Sequence, residues 1–149
     1  MAKVRAGLAA IVLLLLASCN RDPAPDPPLD IRIFQAWELQ PGDSIKGYTV
    51  LGGLGDISIA LNGNSVYAPF VGTARRDARS CLLFASPDVP AYLFRYCGLN
   101  NPRYGAVQQG DTIGSASTLQ FAALRKQADG TWAIVEPSKQ ILERTLTKS

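Results

Sequence analysis

Short runs of alternating apolar and polar residues, separated by turn-forming residues, occupy most of the chain after residue 30. Successive side chains of a β-strand point to opposite faces, so this alternation is typical of strands with one buried face. Strands are predicted at 31–34, 47–51, 56–61, 65–69, 72–75, 81–84, 92–96, 117–124 and 130–135. Glycine, asparagine and proline residues between the runs favour turns. The pattern predicts an all-β fold.

Two further features complete the predicted architecture. The stretch 105–124 is expected to turn a hairpin-like corner at Gln109-Gly110-Asp111 and then to feed the strand 117–124. Helical spacing occurs within 137–146, so we expect one short C-terminal helix there. The fold class predicted is an all-β barrel-sandwich hybrid of short antiparallel strands with this helix at its end.

The first 18 residues follow a different pattern. A basic start at Lys3 and Arg5 precedes the apolar run 8–16, which is shorter than the roughly 20 residues of a spanning helix. This layout predicts a signal peptide. The sequence Leu16-Ala17-Ser18-Cys19 resembles a bacterial lipobox, which implies that Cys19 is lipidated and becomes the first residue. An ordinary signal peptide cut near Ala17 and an uncleaved anchor are the alternatives, and both still predict export.

Residues 19–30 are predicted to form a solvated tether between the lipid and a domain at 31–149. Four prolines lie within 20–29, and proline favours extended, solvated backbone. The chain is therefore expected to be lipid-anchored to the cell envelope. In a Gram-negative cell we expect the outer membrane, facing the periplasm, because Asn20 stands where aspartate signals retention in the inner membrane.

Composition excludes several kinds of chemistry. The chain has no histidine, so it offers no imidazole as a zinc ligand or as a catalytic base. Its net charge of +3 falls to about +1 without Lys3 and Arg5, which is too weak to indicate nucleic acid as a partner. Cys81 and Cys97 lie in predicted neighbouring strands of an exported chain. They are expected to form a disulfide, with two buried thiols as the alternative.

Glycine and apolar positions follow one another in an order that is similar to one family of enzymes. The segments concerned are Asp56-Ile57, Gly63, Val66-Tyr67-Ala68-Pro69, Gly72-Thr73-Ala74, Tyr96-Cys97-Gly98-Leu99, the corner 105–114 and Thr118-Leu119-Gln120-Phe121. They resemble the lysostaphin-like, or LytM-type, zinc endopeptidases of the cell wall, which have the peptidoglycan hydrolase fold. The resemblance covers most of 47–142.

The zinc-binding residues of that family are replaced in this chain. Gly52 stands where the family has its first histidine, Gly98 replaces the histidine before leucine, and Thr118 and Gln120 replace the pair in the last strand. Asp56 is at most a vestigial ligand position, and one carboxylate does not hold catalytic zinc. The resemblance therefore implies a degenerate member, a pseudoenzyme with no catalytic residue, no bound metal and no cofactor.

Without the zinc chemistry, the resemblance still implies a groove that could bind a ligand. Its residues are expected to be Gly52, Asp56, Tyr96, Gly98, Thr118 and Gln120, with Arg95, Asn100, Arg103 and Tyr104 at the rim. The expected partner is peptidoglycan or a cell-wall hydrolase. One alternative is an envelope adaptor of the lipoyl or biotinyl type, although the corner 109–112 lacks the lysine it needs. The other is an enzyme, either a peptidase with non-standard ligands or an unrelated hydrolase. The carboxylates Asp56, Asp111 and Glu136 are candidates for acid/base chemistry or for calcium.

Overall fold

A computed structural model describes residues 24–33 and 37–149 of the chain. The predicted signal peptide, the lipidation site Cys19 and the first part of the tether lie outside these residues. Among the described residues, no helix is long and apolar enough to cross a membrane.

The described residues form short strands and a single helix, as the alternation predicted. The strands are β1 (Ile31–Ile33), β2 (Ser44–Ile45), β3 (Tyr48–Leu54), β4 (Asp56–Ala60), β5 (Ser65–Tyr67), β6 (Gly72–Arg76), β7 (Leu82–Ala85), β8 (Tyr92–Cys97), β9 (Gly105–Val107), β10 (Thr112–Ser115), β11 (Thr118–Lys126) and β12 (Trp132–Val135). The helix is α1 (Lys139–Leu146). The all-β prediction with its short terminal helix is confirmed.

Ten of the strands form one large, mainly antiparallel sheet. Its order is β2-β3-β4-β11-β8-β7-β6-β9, with β12 paired to β11 and β1 paired in parallel to β12. The strands β5 and β10 form a separate two-stranded sheet. Within the described residues, the large sheet is not closed into a barrel.

The longest strand, β11, organises the large sheet. One of its edges pairs with β8. Its other edge pairs first with β4, from Thr118 to Phe121, and then with β12, from Ala123 to Lys126. Its sequence TLQFAALRK is apolar and buried at Leu119 and from Phe121 to Leu124, which suits a central strand. Any site built around β11 is therefore held by hydrogen-bonded strands on both sides.

The predicted hairpin corner near Gly110 joins two different sheets. The backbone N–H of Asp111 donates to the carbonyl of Gln108 at 3.1 Å, and Gly110 has a φ of 81°, so the turn itself forms as expected. However, β9 pairs with β6 and β10 pairs with β5, so the two flanking strands are not partners of each other. The corner also leads into β10 before the chain reaches β11.

An aromatic cluster fills the core on the inner face of the large sheet. The ring of Phe94 is stacked on Phe121, Phe84 and Phe70 at centroid distances of 5.9, 6.4 and 6.2 Å. Tyr96 meets Phe121 edge to face at 5.0 Å. Aromatic pairs at these separations contribute beyond the area they bury. The core therefore lies against the middle of β8 and β11.

Helix α1 closes this core. It begins after Ser138, whose hydroxyl accepts a hydrogen bond from the backbone N–H of Ile141 at 3.3 Å, as N-capping residues do. Its buried residues Leu142 and Leu146 belong to the same apolar cluster as β5 and β10. The hydroxyls of Tyr96 and Thr145 lie 3.4 Å apart in the interior, so the helix is also joined to β8 by a polar contact.

A disulfide joins Cys81 and Cys97, which confirms the sequence prediction. Their Cα atoms are 4.5 Å apart, because Cys81 precedes β7 and Cys97 ends the adjacent strand β8. Closing a loop of this length stabilises a domain by about 3 kcal/mol in the chain-entropy account.

The described part of the predicted tether, residues 24–30, is largely exposed but contacts the domain. The backbone N–H of Asp26 donates to the carbonyl of Arg76 at 3.2 Å, and its carboxylate lies 3.3 Å from Arg75 Nε. Leu29 packs against the core residues. The chain then continues into β1. Residues 26–31, which we call the strap, thus lie against the large sheet.

Candidate functional site

The large sheet has an inner face that packs on the core and an outer face, and the predicted groove residues are divided between them. Leu119 and Phe121 are buried on the inner face of β11, whereas Thr118 and Gln120 alternate with them and are exposed. Side chains of directly paired residues lie on the same face of a sheet. Gln120 pairs with Ser58 of β4 and with Cys97 of β8. Thr118 and Gln120 therefore lie on the outer face, opposite the aromatic core.

A polar row crosses this outer face. Ser58 pairs with Gly52 of β3 on one side and with Gln120 on the other, so the row reads Gly52, Ser58, Gln120 and Cys97. Gly52 has no side chain, and an added Cβ would meet only the side chain of Ser58, at 3.9 Å. The end of the row at β3 is therefore open.

An open cleft of about 610 Å³ lies at this end of the row, and we call it the Trp37 cleft. Its lining consists of Trp37, Gln40, Pro41, Gly52, Gly53, Asp56 and Ser58. The loop 37–41 forms one wall and approaches the sheet closely, since a Cβ at Gly53 would lie 3.0 Å from the carbonyl oxygen of Leu39. Glycine at that position lets the loop and β3 form the two walls.

The loop that carries Trp37 is fixed from the other side of the domain. The carboxylate of Glu136, just after β12, accepts hydrogen bonds from the backbone N–H groups of Glu38 and Leu39 at 3.0 and 2.8 Å. The amide of Gln40 donates to the carbonyl of Trp37 at 2.7 Å. These bonds satisfy the backbone where it leaves regular structure. Glu136 is thereby a positioning residue of the cleft.

Trp37 brings an unpaired hydrogen-bond donor to the cleft. Its side chain is 5% exposed, and its indole Nε1 is buried with no hydrogen-bond partner among the described residues. Buried donors are nearly always paired, so an unpaired one calls for an explanation. Because Nε1 has almost no accessible surface, an acceptor on a ligand would reach it after a small movement of the cleft wall.

Asp56 forms an ion pair with Arg95 across β11. Arg95 Nη2 donates to Asp56 Oδ1 at 2.7 Å. Arg95 pairs with Ala122 of β11, and the small alanine side chain leaves room for the guanidinium to lie over the strand. The Arg95 side chain is 7% exposed and that of Asp56 is 27% exposed. Asp56 therefore presents an oriented, charge-balanced carboxylate to the cleft.

The structure brings some of the predicted groove residues together. Gly52 and Asp56 line the Trp37 cleft, and Gln120 lies beside it, next to Ser58. Thr118 lies on the same exposed face of β11, paired with Ala60 of β4.

Tyr96 is not part of this group. Its side chain is fully buried on the inner face, where it contacts Phe121 and the hydroxyl of Thr145. Burial raises the pKa of the Tyr96 phenol well above its usual range, against the smaller, lowering effect of the Thr145 hydrogen bond. Its position in the strand, one residue after the outward-facing Arg95, explains why it points to the core.

Gly98 has a backbone reason to be glycine. It follows β8 with a φ of 81°, a conformation that favours glycine. A Cβ at this position would lie 2.6 Å from the carbonyl oxygen of Thr118. Any side chain, a histidine included, would therefore strain the junction between β8 and β11.

The residues expected at the rim lie in different places. Arg95 is buried under the strap and bonded to Asp56. Asn100 forms a backbone bridge with Ser115 beside the small sheet. Arg103 pairs with Asp111 at 3.4 Å in the corner region, and the neighbouring Tyr104 is exposed. None of these last residues is among those that line the Trp37 cleft.

The three candidate carboxylates are each engaged by a separate partner. Asp111 Oδ2 accepts from the backbone of Gln108 at 2.9 Å, Glu136 caps the loop of Trp37, and Asp56 is paired with Arg95. Among residues 24–33 and 37–149, no three His, Cys, Asp or Glu side chains are placed to hold a metal ion together. The residues present do not fit the zinc ion that the LytM-type enzymes bind.

The sequence predictions missed Trp37 as a member of the site. The alternation of apolar and polar residues could have identified Ser58, because it lies between the buried Ile57 and Ile59 on a predicted strand and therefore faces outward. Trp37 carried no comparable signal, since it is a single aromatic residue outside any predicted strand.

Two comparisons with known proteins found no protein similar to this chain. A scan against models of protein families found no match. A search of curated proteins also found none. The LytM resemblance therefore remains a prediction from the sequence.

Proposed function

We propose that this chain is a non-catalytic, lipid-anchored binding protein of the cell envelope, and that the Trp37 cleft with the polar row beside it binds peptidoglycan. The observation that carries the proposal is the convergence of Gly52, Asp56 and Ser58 in one open cleft, with Gln120 exposed beside it. Three of these four residues were expected in a groove from the sequence alone.

The chemistry of the cleft suits a ligand rich in amides and hydroxyls. Trp37 supplies an apolar surface and an unpaired N–H donor, Ser58 a hydroxyl, Gln40 an amide and Asp56 an acceptor. Binding sites commonly combine an apolar wall with a few fixed polar groups in this way. Peptidoglycan carries peptide and acetamido carbonyls as acceptors and many hydroxyls as donors, so both kinds of group have partners here.

The same residues favour binding without catalysis. The chain contains no histidine. Asp56, the carboxylate in the cleft, has one oxygen engaged by the Arg95 guanidinium at 2.7 Å. Ser58 has no imidazole to activate its hydroxyl. The domain therefore keeps the groove of the family it resembles without its reaction.

The sequence also supports the anchoring part of the proposal. The lipobox-like segment ending at Cys19 and the proline-rich stretch after it predict a lipid anchor and a spacer. A spacer of this kind lets the domain reach the wall from a membrane surface. Peptidoglycan is the partner that such a position offers, and a cell-wall hydrolase is the competing partner.

Co-sedimentation with purified sacculi tests the proposal. The soluble chain from residue 20 onward, which lacks the lipidated Cys19, should be enriched in the pellet and should release no soluble fragments. Gln120→Ala should reduce the bound fraction, with an affinity about fivefold weaker, because one ligand hydrogen bond is lost. Gln108→Ala is the matched control, since Gln108 is an exposed glutamine outside the cleft.

Two results would count against this function. Stoichiometric zinc together with release of wall fragments would show a peptidase with non-standard ligands. Absence of the protein from the pellet, combined with stable capture of a single envelope hydrolase that Gln120→Ala abolishes, would move the partner from peptidoglycan to that protein.

A further inference from the structure

A second cavity lies under the strap, on the far side of Arg95 from the Trp37 cleft. Its volume is about 280 Å³. Its lining consists of Pro27, Pro28, Leu29, Ile31, Asp77, Ala78, Arg79 and Arg95. The strap forms one side, and the loop between β6 and β7 forms another. We call it the strap cavity, and neither the sequence predictions nor the proposed wall binding accounts for it.

Arg95 supplies this cavity with a buried charged donor. Arg95 is 6% exposed, and its Nη2 donates to Asp56. Its Nε is buried and has no hydrogen-bond partner among the described residues. A guanidinium has five N–H donors, and buried charged groups are normally paired. Arg95 thus brings an unused donor to the wall of this cavity, and because Nε itself is enclosed, a ligand would reach it after a small movement of the side chain.

The charges around the strap cavity favour an anion. Two arginines, Arg79 and Arg95, belong to the lining, against one acidic residue, Asp77. Asp77 Oδ1 already accepts hydrogen bonds from the backbone N–H groups of Arg79 and Cys81, both at 2.8 Å. Its charge is thus partly engaged in holding the loop. Arg79 is exposed at the surface, where it can swing over a ligand.

The remaining lining is apolar and limits the kind of anion. Pro27, Pro28, Leu29 and Ile31 of the strap and Ala78 of the loop present no side-chain hydrogen-bonding groups. A fully hydrated, highly charged anion would lose water against these walls without a compensating partner. A singly charged anion with a short apolar chain matches both parts of the lining.

We propose that the strap cavity binds a small monocarboxylate with a short apolar tail, its carboxylate held by Arg95 Nε and the Arg79 guanidinium. The ion pair of Arg75 with Asp26 holds the strap closed over it. This site does not depend on wall binding at the Trp37 cleft. The two sites share only the Arg95–Asp56 pair that lies between them.

Titration of the processed chain with butyrate tests the site. With ¹⁵N-labelled arginine, the Nε–H signal of Arg95 should shift in a saturable way as butyrate is added. 1-Butanol, which has the tail without the charge, should leave that signal unchanged. Inorganic phosphate, which has the charge without the tail, should bind more weakly than butyrate.

Two exposed arginines provide matched variants. Arg79→Gln should weaken butyrate binding about fivefold or more, because one charge-assisted contact is lost. Arg103→Gln removes the same charge from the corner region, where Arg103 pairs with Asp111, and should leave the affinity unchanged. Both side chains are on the surface, so both variants should fold.

The proposal is overturned by any of three results. The first is no saturable shift of Arg95 Nε–H with butyrate. The second is equal weakening by Arg79→Gln and Arg103→Gln, which would mean general attraction to positive charge. The third is phosphate or butanol binding at least as tightly as butyrate, which would remove the carboxylate or the tail from the recognised ligand.

Discussion

Phe121 and Gln120 are neighbours on β11, yet they belong to surfaces of opposite kinds. Phe121 is fully buried between Phe94 and Tyr96 on the inner face. Gln120 is exposed on the outer face beside Ser58. The inner face holds Phe121 in the hydrophobic core, whereas Gln120 and Ser58 of the outer row do not belong to it. The polar residues of the outer row are therefore available for a ligand without cost to folding.

Replacing Phe121 and Gln120 separately by alanine should give the largest difference in the free energy of unfolding between the two faces. Phe121→Ala is expected to lower the free energy of unfolding by about 3–5 kcal/mol, because it leaves a cavity inside the aromatic cluster. Gln120→Ala should change it by about 0.5 kcal/mol or less, since the side chain is exposed. Urea denaturation measures both. Comparable losses would show that the outer row is structural.

The Arg95–Asp56 pair is the exception on the outer face, and it should give a smaller effect than Phe121. Asp56→Ala is expected to lower the free energy of unfolding by about 2–3 kcal/mol, because it leaves the buried Arg95 guanidinium without its carboxylate.

A double-mutant cycle in urea separates this effect from lost packing. The double variant Asp56→Ala with Arg95→Met should be more stable than Asp56→Ala alone, because the uncompensated charge is gone. Strictly additive losses would show that the two side chains are not coupled. In that case Arg95 would not orient the carboxylate in the Trp37 cleft.

The smallest expected effect concerns Tyr96, a polar group on the inner face. Tyr96→Phe should cost about 1 kcal/mol near neutral pH, because the buried hydroxyl of Thr145 loses its partner. The effect should also depend on pH. Burial raises the pKa of Tyr96 in the folded state, so its contribution is complete below the unfolded value of about 10 and is lost as the pH rises toward the folded value.

Alkaline unfolding curves check this pH dependence. Between the two pKa values the wild-type free energy of unfolding should fall by about 1.4 kcal/mol per pH unit more steeply than that of Tyr96→Phe. Tyr104→Phe, which removes an exposed phenol, is the control and should keep the wild-type slope. If Tyr96→Phe also kept it, the phenol would not be held protonated by the core.

The sequence predicted individual strands and the helix, but not the strand pairings, which depend on residues far apart in the chain. Alternation located β4 and β11, and the helical spacing located α1, because side-chain periodicity is a property of the strand or helix itself. It did not reveal that β9 and β10 pair with different sheets, since pairing depends on residues far away in the chain. Most strands could be predicted, but not the short strands β2, β9 and β10 and not the order of the strands in the sheet.

The same limit explains the predictions for the site. Asp56 and Gln120 reach one face because each follows the period of its own strand, whereas Gly52 joins them through an irregularity in β3, a register shift between Val50 and Gly52. Arg95 was expected at an exposed rim, and its outward direction was right, but the strap covers it. Trp37 enters the cleft through a loop fixed by Glu136, about a hundred residues away in the chain. Burial by a remote segment has no local signature.

The indole signal of Trp37 tests the central claim most directly. The chain has two tryptophans, so ¹H–¹⁵N spectra should show two indole N–H signals, one from the cleft residue Trp37 and one from Trp132 on β12. Titration with soluble peptidoglycan fragments should shift the Trp37 signal in a saturable way and leave that of Trp132 unchanged. An unchanged Trp37 signal at fragment concentrations that saturate binding would contradict the account.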